Sequence, residues 1–138
     1  SKQEKIILAR AAIVLAPSCG TPPSLHQAAQ KIGVDALKLQ KTLKMGIEIG
    51  DFALVNKNRY LPMSLVTQLK LSAEKLAAKS TDGLFTTSEF REEVNMGRNF
   101  VTALLEYFDQ VGFTARVGEY RRILQPFSIS NWERNKKK

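Results

Sequence analysis

The sequence matches itself at an offset of 62 residues. Ile32 falls on Val94, Val34 on Met96, Leu39 on Val101, Leu43 on Leu105 and Ile49 on Val111. Gly50 then falls on Gly112, Ala53 on Ala115, Val55 on Val117, Arg59 on Arg121 and Leu61 on Ile123. Whatever fold satisfies one copy must satisfy the other. Two small, similar domains are therefore expected, over 1–62 and 63–129, followed by a basic tail over 130–138. Only Pro62-Met63 separates the copies, so the domains are expected to be closely hinged, with Ser64 capping the helix that opens the second.

Each copy reads as three helices and a β-hairpin. The first helices, near Lys2 to Ala16 and Ser64 to Lys79, are amphipathic, with Ile7, Ala11 and Val14 falling on Leu69, Ala73 and Leu76. Pro17 ends one and Ser80-Thr-Asp-Gly83 the other. The second helices open on capping boxes, Ser24-Leu-His-Gln27 and Thr86-Thr-Ser-Glu89, in which hydroxyl and Gln or Glu satisfy two backbone donors reciprocally. After a tight turn come third helices near Ala36 to Ile49 and Arg98 to Val111. Two short β-like runs flank a turn in each copy, Phe52 to Val55 with Arg59 to Leu61, and Phe113 to Val117 with Tyr120 to Leu124. Helix, helix–turn–helix, hairpin is the winged-helix order. The predicted class is mainly α with small β-hairpins, as two tandem winged-helix domains.

Charge narrows the partners. The net charge is +8, which favours a polyanion, nucleic acid before an anionic membrane surface. No apolar run approaches the roughly 18 residues of a membrane span. The chain opens almost directly on a helix, as a piece of a longer protein would. A single Cys19 rules out an intramolecular disulfide and fits a reducing, cytoplasmic setting. His26 is the sole histidine, and no metal-ligand spacing occurs, so neither a Cys-His dyad nor a metal centre is expected. The first copy carries nine Lys/Arg against four Asp/Glu, whereas residues 63–129 carry eight of each. Charge alone would send nucleic acid to the first copy.

The mismatches between copies reverse that assignment. At the start of the third helix, Asp35-Ala-Leu37 in one copy faces Gly97-Arg-Asn99 in the other. A carboxylate there caps and neutralises the helix start. Gly97 adds no negative charge, and Arg98 supplies a bidentate donor fork for phosphate. In the hairpin, Leu54 becomes Arg116. With Gly118-Glu119 as the turn, Val117 pairs Tyr120 and Arg116 pairs Arg121, with Arg122 adjacent. Facing guanidinium groups repel, which an anion between them would relieve. The plain alternative is a surface cation and two arginines splayed into water.

The rest of that third helix speaks against a duplex groove. Reading a major groove calls for Arg, Lys, Asn or Gln along the helix, but beyond Asn99 the outward positions are Thr102, Glu106, Asp109 and Gln110. Leu104, Leu105 and Phe108 are assigned to the core. Contact through a helix tip and wing suits an RNA loop or bulge. In the first copy Lys38, Lys41 and Lys44 recur along the third helix, with Lys57 and Arg59 in its wing: a solvated basic face, or a sequence-independent phosphate contact. Trp132 is expected to cover the domain end, beside a Lys136-Lys137-Lys138 tail.

From Met96 to Leu124 the sequence resembles the last winged-helix domain of bacterial selenocysteine-specific elongation factors. The resemblance rests on an Arg-Asn-Phe helix start, the Leu-Leu-Glu-Tyr-Phe-Asp helix and the Thr-Ala-Arg-Val-Gly-Glu-Tyr-Arg wing. It departs from the family at Asn99 and Ala115, where Lys and Arg are common. It implies an RNA-binding, non-enzymatic module that grips the selenocysteine insertion hairpin of an mRNA. Arg98, Asn99, Arg116, Gly118, Glu119 and Arg121 match the family's positions, with Tyr120 near bases and Arg122 on phosphate. It also implies GTP in the parent factor but no cofactor in this chain, which has no Gly-x-x-x-x-Gly-Lys-(Ser/Thr) loop. A monomer is expected, with ribosomal RNA as a second polyanion for the lysine face. Two other readings remain at this point: a tandem winged-helix DNA-binding regulator, and a protein-interaction scaffold.

Overall fold

The computed structural model describes residues 1–127, so the expectations for Trp132 and the lysine tail lie outside the described residues. The chain divides into two units, Ser1–Val66 and Thr67 onward. The first runs α1 (Lys2–Val14), α2 (Leu25–Ile32), α3 (Ala36–Glu48), β1 (Phe52–Asn56) and β2 (Arg59–Pro62). Then follow α4 (Met63–Lys79), β3 (Leu84–Thr86), α5 (Thr87–Val94), α6 (Arg98–Gln110), β4 (Thr114–Val117) and β5 (Tyr120–Ile123). No helix among the described residues is long and apolar enough to cross a membrane.

Local chemistry sets the helix ends. Ser24 accepts from the Gln27 amide while the Gln27 side chain accepts from the Ser24 amide, and Thr86 and Glu89 repeat the arrangement at α5. Both of these helices end on a left-handed residue, Gly33 at φ 84° and Asn95 at φ 53°. Asparagine is among the few side chains that tolerate that region, so the turn into α6 survives without glycine. One expected cap fails. Helix α4 already begins at Met63, which places Ser64 inside it.

The cores follow the repeated apolar positions. Ile7, Ala11, Leu15, Ala28, Leu39, Leu43 and Phe52 form one cluster in the first unit. In the second, Phe85, Phe90, Phe108 and Phe113 meet at centroid distances of 5.0 to 6.5 Å. The large ring changes element between copies. A Cβ on Gly46 of α3 would sit 2.6 Å from the Phe52 ring, whereas the second unit carries Phe108 at the matching helix position and Thr114 at the matching strand position.

The sheets differ as well. β1 and β2 form a two-stranded ribbon, but β5 lies between β4 and β3 in a three-stranded sheet. The third strand was not predicted from sequence, being only three residues long. The first unit has Pro22-Pro23-Ser24 at the corresponding place, and proline lacks the N–H a ladder needs. Registers differ too. A bulge between Leu54 and Asn56 lengthens the first hairpin, so Leu54 pairs Tyr60, whereas its counterpart Arg116 pairs Arg121. The constant offset that set Arg59 on Arg121 and Leu61 on Ile123 is thus wrong past the bulge. In space Tyr60 corresponds to Arg121.

Candidate nucleic-acid interface

Helix α6 begins as the sequence indicated. Asp35 accepts from the Lys38 amide at the start of α3, whereas Gly97 gives α6 no side-chain cap. Arg98 and Asn99, the first two residues of α6, are exposed. The Nε of Arg91 donates to the Met96 carbonyl at 3.4 Å, holding the turn that leads into this helix.

The hairpin divides its arginines among three surroundings. Strand pairing matches expectation, Val117 with Tyr120 and Arg116 with Arg121. Arg116 is exposed, and so are Gly118, Glu119 and Tyr120 around the turn. Side chains alternate across a sheet, so Tyr120 and Arg122 project from the face opposite Arg121. Arg122 lines a groove of about 640 Å³ with Leu71, Glu74, Lys75 and Asp82, sharing it with two carboxylates. The Asp82 carboxyl is held below its usual range, first by the Ser80 hydroxyl and then by the Leu84 amide.

Arg121 is the correction. Its side chain is 7% exposed. Nη2 lies 3.0 Å from Asp109 Oδ2, Nε bonds both carboxylate oxygens at 3.2 Å, and Nη1 donates to the Thr87 hydroxyl at 3.1 Å. Thr114 donates to Asp109 Oδ1 at 2.6 Å. The anion that relieves the Arg116–Arg121 repulsion is therefore a carboxylate of this chain. Arg121 is not available to phosphate. Asp109 likewise leaves the set of outward acids on α6, where Glu106 stays exposed beside Thr102 and Gln110.

In the first unit Lys38, Lys41, Lys44 and Lys57 are all exposed. Arg59 is half-buried and donates from Nη1 to the Pro22 carbonyl, and burial pulls its pKa below the usual arginine value. It is better placed to hold the chain before α2 than to meet a polyanion. Sequence reasoning also missed Lys70, whose ammonium lies 5.3 Å from the Phe113 ring and 5.8 Å from that of Phe127. With the Phe127 amide donating to Glu74 at 2.9 Å, this fastens the segment after β5 to α4. Burial lowers the Lys70 pKa, partly offset by Glu74. Among the described residues no cluster of His, Cys, Asp and Glu could hold a metal ion.

Comparisons with known proteins agree with this fold. Residues 77–123 match the family model of the elongation factor SelB winged helix. Over 90 residues, 65% of the chain, the sequence is 28% identical to the selenocysteine-specific elongation factor of Escherichia coli K12. The chain spans only 14% of that protein's length. The mRNA-binding domain of E. coli elongation factor SelB, solved in complex with SECIS RNA, superposes with a TM-score of 0.77 at 23% identity, covering 91% of this chain and 99% of that one. A bacterial selenocysteine-specific elongation factor EF-Sec gives a TM-score of 0.65 at 16% identity, covering 88% of this chain and 18% of that one. Residues 77–123 thus match the winged helix of elongation factor SelB, and the chain shares the fold of that factor's mRNA-binding domain.

Proposed function

We propose that this chain is the mRNA-binding module of a selenocysteine-specific translation elongation factor, and that its second unit grips the selenocysteine insertion hairpin. The observation that carries this reading is the contrast at the third helix of each unit. Asp35 closes the start of α3 with a carboxylate, while Gly97, Arg98 and Asn99 present α6 without one. Arg98 acts on phosphate, and Asn99 and Tyr120 act near bases that a loop or bulge leaves unstacked. Arg116 and the Gly118-Glu119 turn bring the wing to the same RNA, with Arg122 at its margin. The lysines of α3 add sequence-independent attraction, suited to ribosomal RNA.

Gripping RNA needs no bond making, and the chain is read as non-enzymatic and cofactor-free, working in the cytoplasm while the parent factor binds GTP elsewhere in its length. Replacing Arg98 by Ala should weaken hairpin binding by about 1–3 kcal/mol at fixed salt. Unchanged affinity in that titration would remove Arg98 from the site.

A further inference from the structure

Four positions that carry aliphatic or aromatic side chains in the first unit form one ionic cluster in the second. Leu25, Ile47, Phe52 and Tyr60 become Thr87, Asp109, Thr114 and Arg121. Leu25, Phe52 and Tyr60 are only 4%, 5% and 1% exposed, and Ile47 packs against the same cluster. The replacements are mutually satisfied. Arg121 meets both oxygens of Asp109 and the hydroxyl of Thr87, while Thr114 meets Asp109 from the first residue of β4. Moving the large ring from strand to helix, Phe108 in place of Phe52, leaves the strand position small enough for that threonine.

Apart from one 3.3 Å hydrogen bond from Gln40 Nε2 to the Tyr60 hydroxyl, the first unit's corner holds its hairpin by contact area, which tolerates sliding. A cluster of directional bonds does not. Here the bonds tie the middle strand of the sheet to the start of α5 and the last turn of α6, the two helices of the helix–turn–helix. We infer that Arg121 is a positioning residue, locking the wing so that Arg116 and Tyr120 meet the RNA at a fixed place relative to the start of α6. The inference rests on the proposed hairpin reading. It assigns Arg121 the opposite of a direct phosphate contact, and the two roles respond differently to the removal of its partner.

The experiment uses the full chain, a selenocysteine insertion hairpin RNA and a scrambled hairpin, titrated at two salt concentrations. Asp109→Asn adds one positive charge to the protein, which by bulk attraction, or by freeing Arg121 for phosphate, would tighten binding. A lock predicts the reverse, hairpin affinity down about tenfold with scrambled-hairpin affinity unchanged or slightly raised. Asp109→Asn/Arg121→Gln, which keeps hydrogen-bonding partners without the charges, is expected to bind the hairpin within about threefold of wild type, with the same salt slope. This second variant serves if the first proves poorly folded. Amide hydrogen exchange at Ala115 and Val117, whose N–H groups face β5, measured without RNA, should quicken in Asp109→Asn. Tighter hairpin binding by Asp109→Asn, a salt slope reduced by roughly 0.7–0.9 in the double variant, or unchanged exchange would each overturn the lock. A wild-type chain that binds both hairpins equally would instead overturn the hairpin reading, and the exchange result would still decide the lock.

Discussion

Asp109 and Arg121, 3.0 Å apart at Oδ2 and Nη2, occupy the positions that Ile47 and Tyr60 hold in the first unit. The same backbone plan thus closes one wing with aliphatic and aromatic side chains and the other with charge. Removing one partner of such a pair strands the other in a site it cannot leave. Arg121→Ala should therefore destabilise the second unit by about 3 kcal/mol, the low end for a buried pair because Asp109 keeps some hydration. Urea unfolding followed by circular dichroism measures it. A loss below about 1 kcal/mol would place the pair among surface bridges.

The helix starts give a prediction with two opposite signs. Gly97→Asp supplies α6 with the cap that Asp35 gives α3, and should stabilise the second unit by about 0.5 kcal/mol. The same carboxylate sits where phosphate is proposed to bind, so hairpin affinity should fall by roughly tenfold. Thermal unfolding and an RNA titration on one protein preparation report both.

Gly46 tests the exchange of ring positions. A Cβ there meets the Phe52 ring at 2.6 Å, and that ring is buried and cannot swing away. Alanine improves helix propensity by about 1 kcal/mol, yet overpacking costs about 1–3 kcal/mol. Gly46→Ala should come out destabilising. Adding Phe52→Leu, which removes ring atoms from the contact, should make the alanine less costly, read as a coupling in a double-mutant cycle.

Acid should loosen the turn before β3. The Asp82 carboxyl accepts from Ser80 and Leu84, and its pKa is depressed by those bonds. A depressed folded pKa means the contribution is complete above the ordinary carboxylate range and is lost as pH falls through the folded value. Protection of the Leu84 amide, taken relative to its intrinsic exchange rate at each pH, should fall below about pH 4, and Asp82→Asn should flatten that dependence.

Much of this architecture is legible in the residues. Capping boxes at Ser24 and Thr86, the Gly33 and Asn95 turns and the Gly118-Glu119 hairpin all act within a few residues, so local pattern reveals them. The exposed helix start at Arg98 and Asn99 is legible for the same reason. Arg121 was not, because its partner stands twelve residues away on another element and an isolated Asp or Arg looks like a solvated charge. The signal existed: Thr87, Asp109 and Thr114 each fall on an apolar residue of the other copy, and three polar intrusions into one corner require a donor. The bulge hid the fourth by shifting Arg121 from Tyr60 onto Arg59. Strand β3 escaped because three residues carry no period, and its existence depends on the absence of the two prolines found in the other unit.

The central claim is that the chain selects a hairpin RNA rather than drawing in any polyanion by bulk charge. It is tested most directly by competing three ligands for the full chain at two salt concentrations: insertion-element hairpin RNA, a scrambled hairpin and duplex DNA. The account predicts that the hairpin wins at both, and that its advantage persists as salt weakens the other two together. Duplex DNA competing as well as the hairpin, or an advantage that vanishes at the higher salt, would contradict it.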